Sequence, residues 1–159
     1  MNRRQWIVSG THGLAAVALV SRLESFRIFT APEMMVRKRA GCSCCGKWVD
    51  HLQKEGFVVR VEELPDTELT AYKRSLGIPD SLFGCHTGVT DGLIVEGHVP
   101  ARYIKQALAN RGGIIGVGVA GMPTGSPGME MDGMKGEPYD VVSFTKDGKT
   151  AVFARVALE

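Results

Sequence analysis

Three of the four cysteines lie in the run Cys42-Ser43-Cys44-Cys45, and the fourth is Cys85. Thiols this close together support two kinds of chemistry, which are thiol–disulfide exchange and the binding of a soft metal ion. Cys42 and Cys45 have the Cys-x-x-Cys spacing of a redox pair. A helical pattern follows, and the free N–H groups at a helix N-terminus stabilise a thiolate. Because a thiolate serves both chemistries, this placement alone leaves the two alternatives open.

Cys44 favours the metal-binding alternative. A disulfide exchanger needs one attacking and one resolving thiol, and a third thiol beside them invites mispairing. A metal site gains from the third thiolate, since bridging thiolates hold more than one Cu(I) ion. Thiolate ligands select Cu(I), zinc or Fe–S clusters, so this reasoning does not choose the metal.

The elements that must position these cysteines follow from the hydrophobic pattern and the turn residues. The predicted order is strand 34–39, helix 44–55, strand 57–64, helix 67–76, strands 85–90 and 93–96, and helix 100–110. An apolar, glycine-studded segment (114–120), a Gly/Met-rich loop (121–138) and a hairpin (139–145 with 151–156) complete the chain. This β-α-β-α-β-β-α order, with a cysteine pair before the first helix, predicts an α/β, thioredoxin-like core followed by a C-terminal loop and β-hairpin.

The fold prediction places Cys85 at the start of the third strand. In thioredoxins that position carries a cis-proline packed against the redox pair. We therefore expect Cys85 to lie within a few ångströms of the 42–45 run, so that all four cysteines form one site. The alternative is that Cys85 is a small buried hydrophobic residue, as free cysteine often is.

The histidines are weaker candidates. His86 follows Cys85 directly and points to the opposite sheet face if the strand is regular, so it is a ligand only if the strand starts later. His51 lies on the first helix, about 10 Å along the axis from Cys44, and is interpreted as a packing or hydrogen-bonding residue. His98 precedes the third helix and is interpreted as a capping or loop residue.

The methionines of the C-terminal loop are also candidates. Met122, Met129, Met131 and Met134 lie in one Gly/Pro-rich segment. Thioether sulfur suits Cu(I) and binds zinc weakly, so Met122 and Met129 are possible further ligands. The alternative is that these methionines are incidental or fill gaps in a surface loop.

The N-terminal residues differ from the rest of the chain. Arg3-Arg4 precedes a mildly apolar run at 7–20, which resembles a bacterial twin-arginine export signal. The run is short and contains Ser9, Thr11 and His12, so a transmembrane helix is not expected. An amphipathic helix of a cytoplasmic protein is the alternative. We predict a separate segment at 1–31 and a single domain at 32–159.

Composition narrows the function classes. The chain has 159 residues and a formal net charge of +2, with scattered basic residues and no aromatic interleaving. A nucleic-acid partner is therefore not indicated. Four cysteines in a chain of this length are too few for a disulfide scaffold, and their grouping indicates a site instead.

Four separated segments together resemble the bacterial CopG-type copper-resistance family. They are CSCCGKWVDHL (42–52), GCHT (84–87), VEGHVPA (95–101) and GMPTGSPGME (121–130). The resemblance implies a periplasmic, thioredoxin-like protein that binds Cu(I) through thiolates, which could form a multinuclear cluster. The family's Cys-x-Cys-Cys run corresponds to Cys42, Cys44 and Cys45, and its later cysteine corresponds to Cys85.

The expected function is therefore a non-catalytic Cu(I)-binding protein of the cell envelope that contributes to copper tolerance. Its expected partners are copper ions and other copper-handling envelope proteins. A thiol–disulfide oxidoreductase that uses Cys42 and Cys45 is the alternative function. Zinc and an Fe–S cluster are the alternative metals.

Overall fold

The computed structural model describes residues 31–157, so the predictions for Arg3-Arg4 and for the apolar run at 7–20 lie outside the described residues. In chain order the elements are β1 (Glu33–Arg39), α1 (Ser43–Lys54), β2 (Val58–Leu64), α2 (Asp66–Ser75), a 3-10 turn (Asp80–Leu82), β3 (His86–Thr90), β4 (Leu93–Glu96), α3 (Ala101–Ala109), β5 (Gly116–Gly118), β6 (Tyr139–Phe144) and β7 (Thr150–Val156). The α/β class is confirmed. Each predicted strand and helix is present, and its ends differ from the prediction by no more than one residue.

The seven strands of residues 31–157 form one mixed sheet in the order β2-β1-β3-β4-β5-β6-β7. β1 pairs with β2, and β4 with β5, in parallel, whereas the other neighbours are antiparallel. Helices α1 and α3 contribute Trp48 and Ile104 to a core that also contains Val95 of β4. Ile94 belongs to a second, smaller core with Phe144. Because neighbouring strand residues point to opposite faces, the sheet has a buried core on each side.

The sequence did not predict β5 as a strand. This three-residue strand joins β4 to β6 and thereby adds the C-terminal hairpin to the sheet. A Cβ atom at Gly116 would overlap the Phe144 ring and lie 2.7 Å from the carbonyl oxygen of Ile94. Packing therefore requires glycine at position 116 of this strand. Because glycine weakens the sequence pattern of a strand, β5 was not predicted.

The sheet brings the cysteine segments together at one edge. β1 ends at Arg39, three residues before Cys42, and β3 begins directly after Cys85. These strands are antiparallel neighbours, with Lys38 opposite His86. The N–H of Arg39 donates to the carbonyl oxygen of Cys85 at 3.0 Å. The end of β1 and the start of β3 are therefore adjacent. Across residues 31–157, every helix is too short or too polar to traverse a bilayer.

Candidate metal centre

The first turn of α1 carries three of the four thiols. Cys42 is the N-cap residue, in an extended conformation with φ −75° and ψ 102°, and the helix begins at Ser43. The first turn of the helix contains no acidic residue of its own. Trp48 anchors the helix, because its indole Nε1 donates to the carbonyl oxygen of Val99 at 2.9 Å. The cysteine run therefore lies at the N-terminus of α1, as the sequence predicts.

The structure brings together all four cysteines that the sequence predicts as ligands. Their sulfur atoms lie within 4.8 Å of one another. Cys42 and Cys45 form a disulfide, while Cys44 and Cys85 are free thiols. The Sγ of Cys44 lies 3.4 Å from that of Cys42 and 4.0 Å from that of Cys85, and the Sγ atoms of Cys45 and Cys85 are 3.1 Å apart. The thiols therefore form one compact cluster, which we call the thiol cluster.

Cys85 is held in its neutral form when no metal is bound. The pKa of the Cys85 thiol is raised to about 11. Burial is the largest cause, and the neighbouring Cys44 is the next. The thiol is consequently protonated at neutral pH. A metal ion that binds the Cys85 sulfur must displace this proton.

His98 joins the thiol cluster, a role that sequence reasoning missed. Its Nδ1 lies 2.9 Å from the carbonyl oxygen of Pro127, which can only accept, so Nδ1 carries the proton. The Nε2 atom therefore presents a lone pair, and it lies 4.0 Å from the Sγ of Cys85. Burial lowers the pKa of His98, which keeps the ring neutral. A carbonyl-oriented, neutral imidazole of this kind is a typical metal ligand. The one signal in the sequence was the position of His98 within the third family-like segment.

His86 also reaches the thiol cluster, because β3 starts one residue later than predicted. Its Nδ1 lies 3.6 Å from the Sγ of Cys85, and its ring packs against Trp48 with centroids 4.3 Å apart. Burial lowers the pKa of His86 to about 3, so the ring is neutral. Within residues 31–157 its Nε2, the nitrogen that faces away from Cys85, has no hydrogen-bond partner, so it lacks the orienting carbonyl that His98 has in Pro127. His86 is the weaker ligand candidate of the two.

His51 has the hydrogen-bonding role that the sequence predicts. Its Nε2 accepts a hydrogen bond from the backbone N–H of Ala101 at 3.1 Å. Ala101 is the first residue of α3, so the imidazole satisfies one of the unpaired N–H groups at that helix end. His51 therefore links α1 to α3 and is not part of the thiol cluster.

The loop between β5 and β6 packs against the first turns of α1. Gly128 has φ +88°, and a Cβ atom there would lie 2.7 Å from the carbonyl oxygen of Cys44. Met129 and Met131 line a cleft of about 180 Å³ that is also lined by Cys44. Met122 is 55% exposed and does not line this cleft. Of the two predicted methionines, Met129 is therefore the one that lines a cleft together with a cysteine.

A family model and two solved structures match this chain. Residues 82–129 match the family model described as "Protein of unknown function, DUF411". A solved structure titled "Copper resistance protein copG- Form 1" is 44% identical, with 78% of this chain and 96% of that chain covered and a TM-score of 0.72. A second, titled "Copper resistance protein copG- Form 2", is 41% identical, with coverages of 79% and 98% and the same TM-score. No curated protein sequence gives a significant match.

Proposed function

Because this chain belongs to the family of the copper resistance protein CopG, we propose that it binds Cu(I) through Cys42, Cys44, Cys45 and Cys85 and contributes to copper tolerance. The observation that carries the proposal is the convergence of four sulfur atoms within 4.8 Å. Bridging thiolates at this spacing suit a cluster of several Cu(I) ions. The protein's role is to hold the copper, and catalysis is not required for it.

The chemistry of the surrounding donors supports Cu(I) over zinc. The lone pair of His98 Nε2 faces Cys85, and Met129 lines the cleft that Cys44 also lines. Imidazole binds either metal, but a thioether is a good ligand for Cu(I) and a poor one for zinc. Zinc and an Fe–S cluster are the alternative occupants. Metal analysis of protein purified anaerobically, together with its visible absorption spectrum, distinguishes the three.

We expect the reduced protein to take up more than one Cu(I) ion per chain. The disulfide between Cys42 and Cys45 must first be reduced, because only thiolates are ligands. Anaerobic titration against a chromogenic Cu(I) chelator measures both the stoichiometry and the affinity. The control is the variant in which all four cysteines are serine. If wild type binds Cu(I) no more tightly than this variant, the proposal is wrong.

We expect the affinity for Cu(I) to rise with pH. With a pKa of about 11, the Cys85 thiol is protonated between pH 6 and 8, so Cu(I) binding in this range releases its proton. Each proton released makes the apparent binding constant rise about tenfold per pH unit. Cys85→Ser should therefore lower the slope of log K against pH by about one. An unchanged slope, measured between pH 6 and 8 with the chelator's own titration subtracted, would contradict this assignment.

The finer descriptions of fold and location are part of the same proposal. The parallel β1–α1–β2 unit beside the antiparallel β3 and β4, with the Cys-x-x-Cys run at the start of α1, supports a thioredoxin-like domain. The Arg3-Arg4 pair before a short apolar run supports export to the periplasm by the twin-arginine route. Other copper-handling proteins of the envelope are the proposed partners.

A thiol–disulfide oxidoreductase is the second candidate function. The observation in its favour is the Cys42–Cys45 disulfide at the N-terminus of α1. In that function Cys42 and Cys45 alternate between disulfide and dithiol, and Cys44 has no necessary part. The two functions therefore make different demands on Cys44.

A further inference from the structure

A buried ion pair lies beside the segment that carries Cys85. The Nζ of Lys73, on α2, is 2.5 Å from the Oε1 of Glu96, at the end of β4, and the side chains are 2% and 0% exposed. In every other ion pair of residues 31–157 at least one partner is roughly half exposed or more. Burying two charges costs several kcal/mol of desolvation per ion, which their attraction need not recover. A gain in folding stability is therefore a weak explanation for burying this ion pair, and another explanation is needed.

The ion pair is hydrogen-bonded to residues on both sides of Cys85 in the sequence. Glu96 accepts from the backbone N–H of Gly84 at 2.6 Å and from the hydroxyl of Thr87 at 2.6 Å. Lys73 donates to the Thr87 hydroxyl at 2.7 Å and to the carbonyl oxygen of His86 at 3.2 Å. The residue before Cys85 and the two residues after it are thus all fixed by this one pair.

Cys85 needs such support because it precedes β3. Its carbonyl oxygen accepts from Arg39, but Gly84 lies outside the sheet ladder. The Cys85 sulfur must nevertheless lie 3.1 Å from Cys45 and 4.0 Å from Cys44. A shift of 1 Å in this segment would change those separations by a large fraction.

We infer that Lys73 and Glu96 are positioning residues that hold Cys85 in the thiol cluster and so pre-organise the metal site. The inference rests on the proposed function, because it concerns the same four thiols. Neither side chain is assigned as a ligand. Residues that orient metal ligands in this way typically contribute 10–100-fold to metal affinity.

The test uses the full chain with the pair replaced by apolar residues of similar length, Lys73→Met with Glu96→Met. Replacing both partners avoids leaving one unpaired buried charge, which would be strongly destabilising. The reduced variant should bind Cu(I) about 10–100-fold more weakly than wild type. The matched control, Glu33→Met with Arg60→Met, removes an exposed ion pair at the β1–β2 edge and should bind as wild type does.

A double-mutant cycle separates positioning from a general structural effect. In a Cys85→Ser background the same pair replacement should cause no further loss of Cu(I) affinity, because Cys85 is then no longer a ligand. An equal loss in both backgrounds, or wild-type affinity in the pair variant, overturns the inference. If the pair variant does not fold, Thr87→Val, which removes the hydroxyl bonded to both charges, takes its place in the same cycle.

A metal-free measurement keeps this inference separate from the copper proposal. In the reduced protein without copper, the alkylation rate of Cys85 relative to Cys42 should rise in the pair variant, since the released segment exposes the thiol. Peptide mapping by mass spectrometry gives both rates in one sample. If wild type binds no Cu(I), the proposed function fails while this ratio still decides the inference, and an unchanged ratio overturns it.

Discussion

Replacing Cys44 by serine is expected to lower the number of Cu(I) ions that the reduced chain binds. The Cys44 sulfur lies between Cys42, at 3.4 Å, and Cys85, at 4.0 Å, so it is placed to bridge copper ions held by the other thiolates. A serine hydroxyl has almost the same shape but is a poor ligand for a soft ion. Anaerobic titration with a chromogenic chelator gives the stoichiometry directly.

The neighbouring residue supplies the control. Ser43 is exposed and lies in the same helical turn, so Ser43→Ala changes that turn without removing a thiol. The Ser43→Ala variant should bind as many Cu(I) ions as wild type. Because Cys44 is only half-buried, its substitution should change the unfolding free energy by less than about 1 kcal/mol, which chemical denaturation checks. An unchanged stoichiometry in Cys44→Ser would remove the bridging role.

The same variant separates the two candidate functions. If the chain is a thiol–disulfide oxidoreductase, Cys44→Ser should retain the reduction of insulin, while Cys42→Ser abolishes it. If the chain serves only to hold copper, wild type and both variants should all fail to reduce insulin. Absence of insulin reduction by wild type under reducing turnover would exclude the oxidoreductase function.

Local chemistry explains why so much of the fold was predictable. The first helix ends where Gly56 takes a positive φ, and the turn at Asp91-Gly92 has φ values of 45° and 71°, as a tight hairpin between β3 and β4 requires. These signals lie within a few residues of the elements they delimit. The approach of Cys85 to the cysteine run then followed from the order of the elements and from the corresponding position in thioredoxins.

The features that the sequence did not predict depend on contacts between distant segments. The role of His98 depends on the carbonyl of Pro127, and the hydrogen bonds around Cys85 come from Lys73 and Glu96, which lie on two other elements. A histidine two residues before a proline and a lysine on a helix have the same local pattern whether or not they serve a site. Only the packing of the loop after β5 and of α2 gives these residues their partners.

Replacing Gly128 by alanine is expected to detach the C-terminal loop from α1 and to weaken Cu(I) binding. The new Cβ atom would lie 2.7 Å from the carbonyl oxygen of Cys44 and 2.9 Å from the backbone nitrogen of Trp48. Both atoms belong to a helix backbone that cannot yield easily, so the loop must move. We expect a loss of about 1–3 kcal/mol in the unfolding free energy, typical of overpacking.

Loop movement should reach the metal site through Pro127, the residue before Gly128. Its carbonyl fixes the proton of His98 on Nδ1 and so directs Nε2 toward Cys85. Once that carbonyl moves away, the imidazole loses its preferred tautomer and orientation, and Cu(I) affinity should fall. Competition with the Cu(I) chelator measures the affinity, and thermal or chemical denaturation measures the stability.

Gly121 provides a matched control within the same loop. It also has a positive φ, +69°, but its Cβ position has nothing within 4 Å. Gly121→Ala therefore imposes similar backbone strain without the clash, and it should keep wild-type affinity for Cu(I). Equal losses of affinity in the two variants would mean that strain alone is responsible. Wild-type affinity in Gly128→Ala would mean that the loop does not support the site.

A loss confined to Gly128→Ala would identify the contact between this loop and the first turns of α1 as part of the metal centre, because it is the clash with α1 that distinguishes the two positions.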